Sequence, residues 1–340
     1  MKQEQIDLLL QQGEFPESEQ PTELISTHIS WVILTDQWAY KIKKPVHFSF
    51  LDFSTLDKRK YFAEQEYSLN RRLAPHVYLA VLPIRRKANT LQIGGTEGQI
   101  VDYALKMRRL NTQKQMNVLL DNHQVGVVDL TALVDQLVAF HRSAEKLRGI
   151  VDLQQWQQTF NDLAQIQQAT IEWGMPKVAR IIDRGIQFSD RFLERLGHRF
   201  QQREEEGWII DGHGDLHAKN IFLTSPPVIF DCIEFSNELR QLDVLNELAF
   251  FCMDMDAYQR PDLGRLFLQF YLQHIPCMPH PEDRLIFDYF KLYRANVRLK
   301  VNGLQGLQSP DEADLHPGKE QVSKYAALFA SYLNQLESAF

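Results

Sequence analysis

The residues His213-Gly-Asp-Leu-His-Ala-Lys-Asn220, followed after a short apolar segment by Phe230-Asp231, carry the strongest signal in this 340-residue chain. Asn220 comes five positions after Asp215. In phosphoryl-transfer sites, one Asp accepts the proton of the attacking hydroxyl, and an Asn five positions later holds a magnesium ion. A second, later Asp holds the metal that bridges the nucleotide phosphates. The pattern therefore predicts a phosphoryl-transfer site with Asp215 as the base and with Asn220 and Asp231 on magnesium.

The segment that joins Asn220 to Asp231 predicts a small hairpin. Two short apolar strands, 220–224 and 227–231, are separated by Thr-Ser-Pro-Pro, which is a turn by composition. Such a hairpin brings Asp231 back beside Asn220, where oxygen-bearing side chains suit magnesium. The alternative is that Asp-x-x-x-x-Asn is a chance loop pattern and that Asp231 is an ordinary turn or capping residue.

The same residues carry a resemblance to a known family. HGDLHAKNIFL followed by VIFDCIEF resembles the aminoglycoside phosphotransferase and choline kinase branch of the protein-kinase-like fold, where His-Gly-Asp replaces His-Arg-Asp. More narrowly, SWVILTDQWAYKIKKPVHFSFLDFSTL, LNRRLAP, DCIEFSNELRQLD and YRANVRLKV resemble an uncharacterised bacterial group of aminoglycoside phosphotransferase family enzymes. Many members of that group carry a second, C-terminal P-loop kinase domain. These 340 residues contain no G-x-x-x-x-G-K-[ST] run, so we expect that half to be absent here.

Fold class follows from the resemblance and from residue patterning together. The resemblance implies an α+β, bilobal protein-kinase-like fold with a small antiparallel β-rich N-lobe and a larger, mostly helical C-lobe. Patterning predicts strands over 22–34, 37–44, 77–84, 90–93 and 99–107, with turns at Thr35-Asp36 and Gly94-Gly95. It predicts a helix over 54–73 with Ser54 as its N-cap.

The remaining periodic segments predict a helical second lobe. The predicted helices are 126–147, 151–172, 177–205, 242–256, 261–274, 281–306 and 318–338. We therefore place the N-lobe at 1–107, with five strands and one helix, and the C-lobe at 108–340, with a catalytic loop at 211–220.

Nucleotide binding in such a fold needs a Lys on an N-lobe strand and a Glu on the following helix. Ala39-Tyr-Lys41 matches the A-x-K of that strand, and Lys43 lies on the same strand face, so Lys41 is the first candidate and Lys43 the second. Glu64 and Glu66 point roughly 200° apart on a helix, and only Glu66 lies on the apolar stripe. The alternative for both lysines is a solvated strand edge.

The adenine would hydrogen-bond to backbone near Met107, and the cofactors implied are ATP and Mg²⁺. The chain departs from protein kinases between its first strands, where Ser26 to Trp31 contains no glycine. Phosphate contacts there would come from backbone amides and from Ser or Thr hydroxyls.

Four residues are candidates for the acceptor side of the site. Glu234 and Asp243 follow Asp231 in a region that, by resemblance, shapes the acceptor pocket; their alternative is capping and surface charge. Arg294 and Arg298 are four residues apart on a predicted helix and share one face, so the acceptor or a group on it would be anionic. The alternative for both arginines is pairing with surface carboxylates.

Two other functions compete with phosphotransfer. In the first, His213 is a metal ligand of a phosphohydrolase, but such hydrolases need further His and Asp motifs. The preferred interpretation is that His213 supports the loop through a hydrogen bond. A kinase-like fold could also serve as an inactive binding module. Against this, Lys41, Glu66, Asp215, Asn220 and Asp231 are all present.

Composition limits the partners and the compartment. A net charge of −7 is unfavourable for coating nucleic acid, which requires a basic surface. No stretch approaches the ~20 apolar residues of a membrane span, and the three cysteines show no C-x-x-C pairing. We expect a cytoplasmic enzyme acting on a small-molecule hydroxyl, without nucleic-acid or membrane partners; the oligomeric state is not predicted.

Overall fold

An antiparallel sheet dominates the N-terminal part of the computed structural model, which describes residues 1–48, 51–308 and 312–340. The elements here are α1 (Gln3–Gln12), β1 (Glu23–Ser26), β2 (Ser30–Leu34), β3 (Trp38–Lys43), β4 (His47–Phe48), β5 (Leu51–Asp52), α2 (Leu56–Asn70), β6 (Tyr78–Lys87), β7 (Thr90–Ile93) and β8 (Gln99–Arg108). Within the described ranges, six of these strands form one sheet in the order β1-β2-β3-β8-β6-β7. Ser49 and Phe50, part of the run used for the resemblance, lie outside the described residues.

The sheet buries a different cluster on each face, because successive strand side chains point to opposite sides. One cluster combines β2 and β3 residues with the apolar face of α1; it includes Ile6, Leu9, Ile33, Tyr40 and Ile42. The other lies on the face that carries Ala39; it includes Tyr78, Leu105 and Met107. Lys41 and Lys43 alternate with Tyr40 and Ile42 along β3, so the lysines share the face of Ala39.

Helices make up most of the chain after residue 115. The elements are α3 (Met116–Asp121), α4 (Val127–Ser143), α5 (Leu153–Asn161), α6 (Gln167–Glu172), α7 (Pro176–Glu205), β9 (Ile209–Asp211), β10 (Ile221–Phe222), β11 (Val228–Ile229), α8 (Asn237–Arg240), β12 (Gln241–Asp243), α9 (Val244–Ala257), α10 (Pro261–His274), α11 (Pro281–Gln308) and α12 (Glu312–Ala339). The predicted class is confirmed: an antiparallel β-rich region is followed by a helical region, as in the protein-kinase-like fold.

Most predicted elements are present, with three corrections. The single strand over 22–34 is wrong, because Thr27 N–H donates to Ser30 O and folds this segment into β1 and β2. The helix over 151–172 is interrupted by a 3₁₀ segment over Asp162–Ile166. Ser54 is not the N-cap of α2, since the Thr55 hydroxyl accepts from Lys58 N–H (3.3 Å) while Ser54 donates to Asp52.

Several short or terminal elements carried too weak a pattern to be predicted. They are α1, α3, α8, β4, β5, β9 and β12. The strand β12 pairs with β9 from about thirty residues earlier, as in Leu242 against Ile210. A strand of three residues has no detectable periodicity, so only pairing defines it.

The chain forms two compact units. The first contains residues 1–119, 213–215 and 219–240; the second contains 120–212, 216–218 and 241–340. The predicted lobe boundary after Met107 stays a prediction. None of the helices in the described parts of the chain has both the length and the apolar character needed to cross a bilayer.

Candidate active site

Lys41 is the centre of an ion-pair cluster in the first compact unit. Its ammonium lies 2.7 Å from Glu66 Oε1 and 2.7 Å from Asp231 Oδ1. Strand β3 supplies the lysine, α2 supplies the glutamate, and the segment after β11 supplies the aspartate. The structure thus brings together three residues that were predicted to act on one nucleotide, including one 190 positions away in sequence. Glu64, the rejected alternative, is exposed and faces Lys60 instead.

Lys43 forms a second, more deeply buried part of the same cluster. Its ammonium contacts Glu66 Oε2 at 2.7 Å and is paired with Glu234 Oε1. It also lies 4.6 Å from the centroid of the Phe53 ring. Each oxygen of Glu66 therefore receives one ammonium, and Glu66 joins the two lysines.

Burial and charge act against each other in this cluster. Burial disfavours ionised Glu66, but the ammonium groups of Lys41 and Lys43 outweigh it and lower the pKa of Glu66 to about 2. Burial works against the charged lysines as well, yet Asp231 and Glu66 raise the pKa of Lys41, and Glu234 and Glu66 raise that of Lys43. Burial raises the pKa of Glu234, and Lys43 opposes that shift.

The predicted catalytic loop is held by hydrogen bonds within the first compact unit. Asn220 Nδ2 donates to the carbonyl and to Oδ2 of Asp215, both at 3.0 Å. His213 Nδ1 accepts from Asp215 N–H (3.2 Å), which leaves the ring proton on Nε2 to donate to Phe230 O (2.9 Å). His213 is fully buried and joins this loop to the end of the hairpin. This agrees with the prediction that His213 supports the loop by hydrogen bonding.

Gly214 is required by the shape of the loop. Its φ of +86° lies in the left-handed region, which favours glycine. A Cβ at this position would lie 2.8 Å from Leu239 O and 3.2 Å from Arg240 Cα. The glycine therefore permits both a backbone conformation and a close approach that other residues would resist.

Asp231 stands at the end of the predicted hairpin, which the structure confirms. Ile221 pairs with Ile229 and Phe222 with Val228, and Phe230 N–H donates to Asn220 O at 3.0 Å. Asp231 itself has φ +62°, an uncommon conformation for a residue with a side chain. Such backbone strain is concentrated at functional sites, where the surroundings hold it in place.

The donor atoms of Asn220 and Asp231 fit a magnesium ion. Asn220 makes its contacts to Asp215 through Nδ2, so its amide oxygen is the atom left to bind a metal. Asp231 is 42% exposed, and among the described residues its ion pair uses Oδ1 alone. Magnesium takes one or two protein oxygens and completes its shell with water and phosphate. No group of three His, Cys, Asp or Glu suited to metal binding occurs in the described ranges. Magnesium binding by Asn220 and Asp231 stays a prediction.

Met107 lies inside the sheet, opposite Ala39 on β3 and Tyr78 on β6. Its side chain is 8% exposed. The next two amides are already bonded, with Arg108 N–H on Val77 O and Arg109 N–H on Gln37 O (both 2.8 Å). A role for the backbone near Met107 in binding adenine stays a prediction.

The other acceptor-side candidates lie in the second compact unit. Asp243 caps α9 by accepting from Leu245 N–H (2.7 Å) and forms a buried ion pair with Arg203 (2.6 Å). Arg294 donates to Asn246 Oδ1 (2.7 Å) and lies 4.5 Å from the Phe250 ring. Arg298 contacts the Tyr325 hydroxyl at 3.4 Å. Their roles in binding an acceptor stay predictions.

Sequence reasoning missed three residues that support the site. The Tyr78 hydroxyl accepts from Asp231 N–H (3.0 Å), and Asn70 Oδ1 accepts from Cys232 N–H (2.8 Å). Asp254 accepts from Ala218 N–H (2.8 Å) in the second unit. Asn70 could have been found, because it lies four residues after Glu66 on the same helix face. Tyr78 and Asp254 carry no local signal.

Comparison with curated proteins gives relatives without an assigned activity. The chain is 31% identical over 296 residues to the uncharacterised proteins Rv2004c of Mycobacterium tuberculosis and Mb2027c of Mycobacterium bovis. The match covers 84% of this chain and 56% of each relative. The chain thus spans about half the length of the curated relatives it matches. No family model matches the chain.

Comparison with solved structures agrees with the fold described above. A choline/ethanolamine kinase family protein from Mesorhizobium loti superimposes with a TM-score of 0.52 at 12% identity, covering 93% of this chain and 92% of that one. A choline kinase from Cryptosporidium parvum gives a TM-score of 0.51 at 10% identity, covering 94% and 89%. At these identities the matches show that the chain has the fold of small-molecule kinases.

Proposed function

We propose that this chain is an ATP- and Mg²⁺-dependent phosphotransferase that moves the γ-phosphate of a nucleotide to a hydroxyl group of a small molecule. The observation that carries the proposal is the Lys41 cluster. Its ammonium lies 2.7 Å from both Glu66 and Asp231, which are the helix glutamate and the metal-binding aspartate expected around a nucleotide. A fold of the kinase type supports the same class of reaction.

Asp215 acts as the general base in this proposal. Its carboxylate accepts from Asn220 Nδ2, and its own N–H is bound to the buried His213 ring. These contacts hold the carboxylate in one orientation, so that it accepts the proton of the acceptor hydroxyl as the new bond to phosphorus forms. His213 holds the loop and does not itself exchange a proton with the substrate.

Lys41 binds the nucleotide phosphates, and Glu66 holds its ammonium in place. Asn220 Oδ1 and Asp231 would hold Mg²⁺, which when bound neutralises charge on the transferred phosphate. The Lys41 ammonium contacts one oxygen of Asp231. The phosphates therefore compete with Asp231 for the Lys41 ammonium when the nucleotide binds.

The narrower assignments belong to the same proposal. Three of them rest on the sequence alone. They are membership of the bacterial aminoglycoside phosphotransferase family group, adenine binding near Met107 and a cytoplasmic location. The net charge of −7 supports an acceptor other than nucleic acid. If the face of α11 that carries Arg294 and Arg298 lines the acceptor site, the acceptor carries an anionic group.

Asp215→Asn tests the catalytic role directly. ATP consumption is measured with a library of small hydroxyl compounds, and the variant serves as the blank for each compound. We expect the variant to lose roughly 10²-fold or more in turnover while binding ADP with nearly unchanged affinity. Asp36→Asn, an exposed aspartate in the β2–β3 turn, is the matched control. Equal ATP consumption by wild type and Asp215→Asn contradicts the proposal.

The same preparation separates the two competing functions. An inactive binding module binds MgADP and turns over no acceptor in the library. A metal-dependent phosphohydrolase retains stoichiometric zinc or manganese and cleaves phosphate esters without ATP. Metal analysis of the purified protein and an ester-cleavage assay without nucleotide distinguish the three functions.

A further inference from the structure

Lys43 and Glu234 form an ion pair that the chemistry proposed above does not use. Their side chains are 3% and 5% exposed, compared with 15% for Lys41 and 42% for Asp231. The Lys43 ammonium is surrounded by Glu66, Glu234 and the Phe53 ring. A phosphate could reach it only by displacing one of these buried partners.

The segment that carries Asp231 and Glu234 is bonded at successive residues within the first unit. Asp231 N–H donates to the Tyr78 hydroxyl, and Cys232 N–H donates to Asn70 Oδ1. Ile233 N–H donates to His213 O at 3.1 Å. The Glu234 side chain then joins this segment to Lys43 on β3. Segment 231–234 is thus attached to α2, β3, β6 and the catalytic loop.

Glu66 is attached to the same structure from the other side. Its Oε2 contacts Lys43 and its Oε1 contacts Lys41, while its backbone carbonyl accepts from Asn70 Nδ2 at 3.0 Å. The pair formed by Lys43 and Glu234 therefore links the carboxylate that orients Lys41 to the segment that orients Asp231.

We propose that Lys43 and Glu234 are positioning residues, which set the places of Lys41 and Asp231 for MgATP without touching the nucleotide or the acceptor. This inference rests on the proposed function. It replaces the predicted nucleotide contact of Lys43 and the predicted acceptor contact of Glu234 with a structural link between the two.

The charges explain why both members of the pair are needed. Two ammonium groups share three carboxylates: Lys41 with Asp231 and Glu66, and Lys43 with Glu66 and Glu234. Without Lys43, two buried carboxylates compete for Lys41, which is drawn away from Asp231. Without the Glu234 charge, segment 231–234 loses its attachment to β3, and Asp231 is less well placed for the metal.

The test is ADP binding by calorimetry, with and without Mg²⁺, in Lys43→Met, Glu234→Gln and the double variant. We expect each single variant to need about 10-fold or more Mg²⁺ for half-maximal ADP binding, the usual effect of losing a residue that orients metal ligands. ADP affinity without Mg²⁺ should stay close to the wild-type value in Glu234→Gln. The two effects should be strongly non-additive in the double variant, because they remove the same link.

The matched control is the exposed pair Lys60 and Glu64 on α2, whose charged atoms are 3.8 Å apart. Lys60→Met and Glu64→Gln should match the wild type in all measurements. If Lys43→Met is too unstable to measure, Glu234→Gln tests the inference alone, because this change keeps the shape of the side chain. Its melting temperature shows whether the variant is folded.

Three results overturn the inference. Wild-type Mg²⁺ dependence in folded Glu234→Gln excludes a positioning role. An equal loss of ADP affinity with and without Mg²⁺ in both single variants shows that the pair does not position Asp231 for the metal. Wild-type protein that binds no ADP at any Mg²⁺ concentration rejects the proposed function and this inference with it, whereas the first two results leave the proposed function standing.

Discussion

Glu66 shows how one residue connects burial, charge and function. It is 1% exposed, and such a carboxylate is costly unless it is paired. Each of its oxygens lies 2.7 Å from a lysine ammonium. The two ion pairs offset the cost of burial and keep Glu66 ionised, so that it holds the Lys41 ammonium in place beside Asp231.

The pKa of Glu66 predicts how stability depends on pH. This pKa falls from 4.5 to about 2 on folding, so the stabilisation is fully present above pH 4.5 and is lost as the pH falls toward 2. Urea unfolding at pH 5, 4 and 3 should show a steeper loss for wild type than for Glu66→Gln. Parallel curves would contradict the assignment.

Gly214 gives a second prediction at this scale. Gly214→Ala should destabilise the protein by about 2 kcal/mol or more, because the positive φ and the approach to Leu239 O both resist a Cβ. Gly149→Ala is the matched control: it has φ +74° but no atom within 4 Å of its Cβ position. Thermal unfolding should show the larger loss for Gly214→Ala. Equal losses would mean that the close approach is unimportant.

At the scale of elements, helix α2 connects the cluster to the segment that follows the hairpin. It begins at the N-cap Thr55 and ends at Asn70, one turn after Glu66. Asn70 uses both ends of its amide, donating to Glu66 O and accepting from Cys232 N–H. The end of this helix therefore helps to determine where segment 231–234 lies.

Asn70→Leu tests that connection. The leucine has a similar size but leaves the buried Cys232 N–H without its acceptor, which costs about 1–3 kcal/mol. Urea unfolding should show this loss, and the Mg²⁺ requirement for ADP binding should rise. Asn89→Leu, at an exposed turn between β6 and β7, serves as the control. An unchanged Mg²⁺ requirement would show that α2 does not position Asp231.

Elements with clear periodicity were predicted well, and short or interrupted ones were not. Helix α10 has its predicted bounds, Pro261–His274. The segment 151–172 kept an apolar pattern that did not reveal the 3₁₀ turn over Asp162–Ile166. Periodicity reports which face is buried, but a change from α to 3₁₀ hydrogen bonding alters that face only slightly.

For the whole molecule, nucleotide binding should appear as added stability. A ligand that binds only the folded state at 100 times its Kd contributes about 2.7 kcal/mol. We expect ADP with Mg²⁺ to raise the melting temperature of wild type and of Asp215→Asn by a few degrees. Asp231→Asn should lose the Mg²⁺-dependent part of that rise. If Asp231→Asn keeps the full rise, Asp231 is not a metal ligand.

The sequence by itself determined the fold class, the hairpin before Asp231 and the order of the longer strands and helices. These features follow from local patterns, which short-range backbone geometry makes predictable. The same holds for the spacing of Asp215, Asn220 and Asp231, for the alternation along β3 and for the helical position of Glu66. Tertiary structure alone decided the partners. Lys41 meets Asp231 across 190 positions, and Lys43 meets Glu234 across 191. Such pairs depend on how the whole chain packs. A buried ammonium is costly unless a carboxylate lies beside it, and the residue that supplies this carboxylate is decided by the fold and not by nearness in sequence.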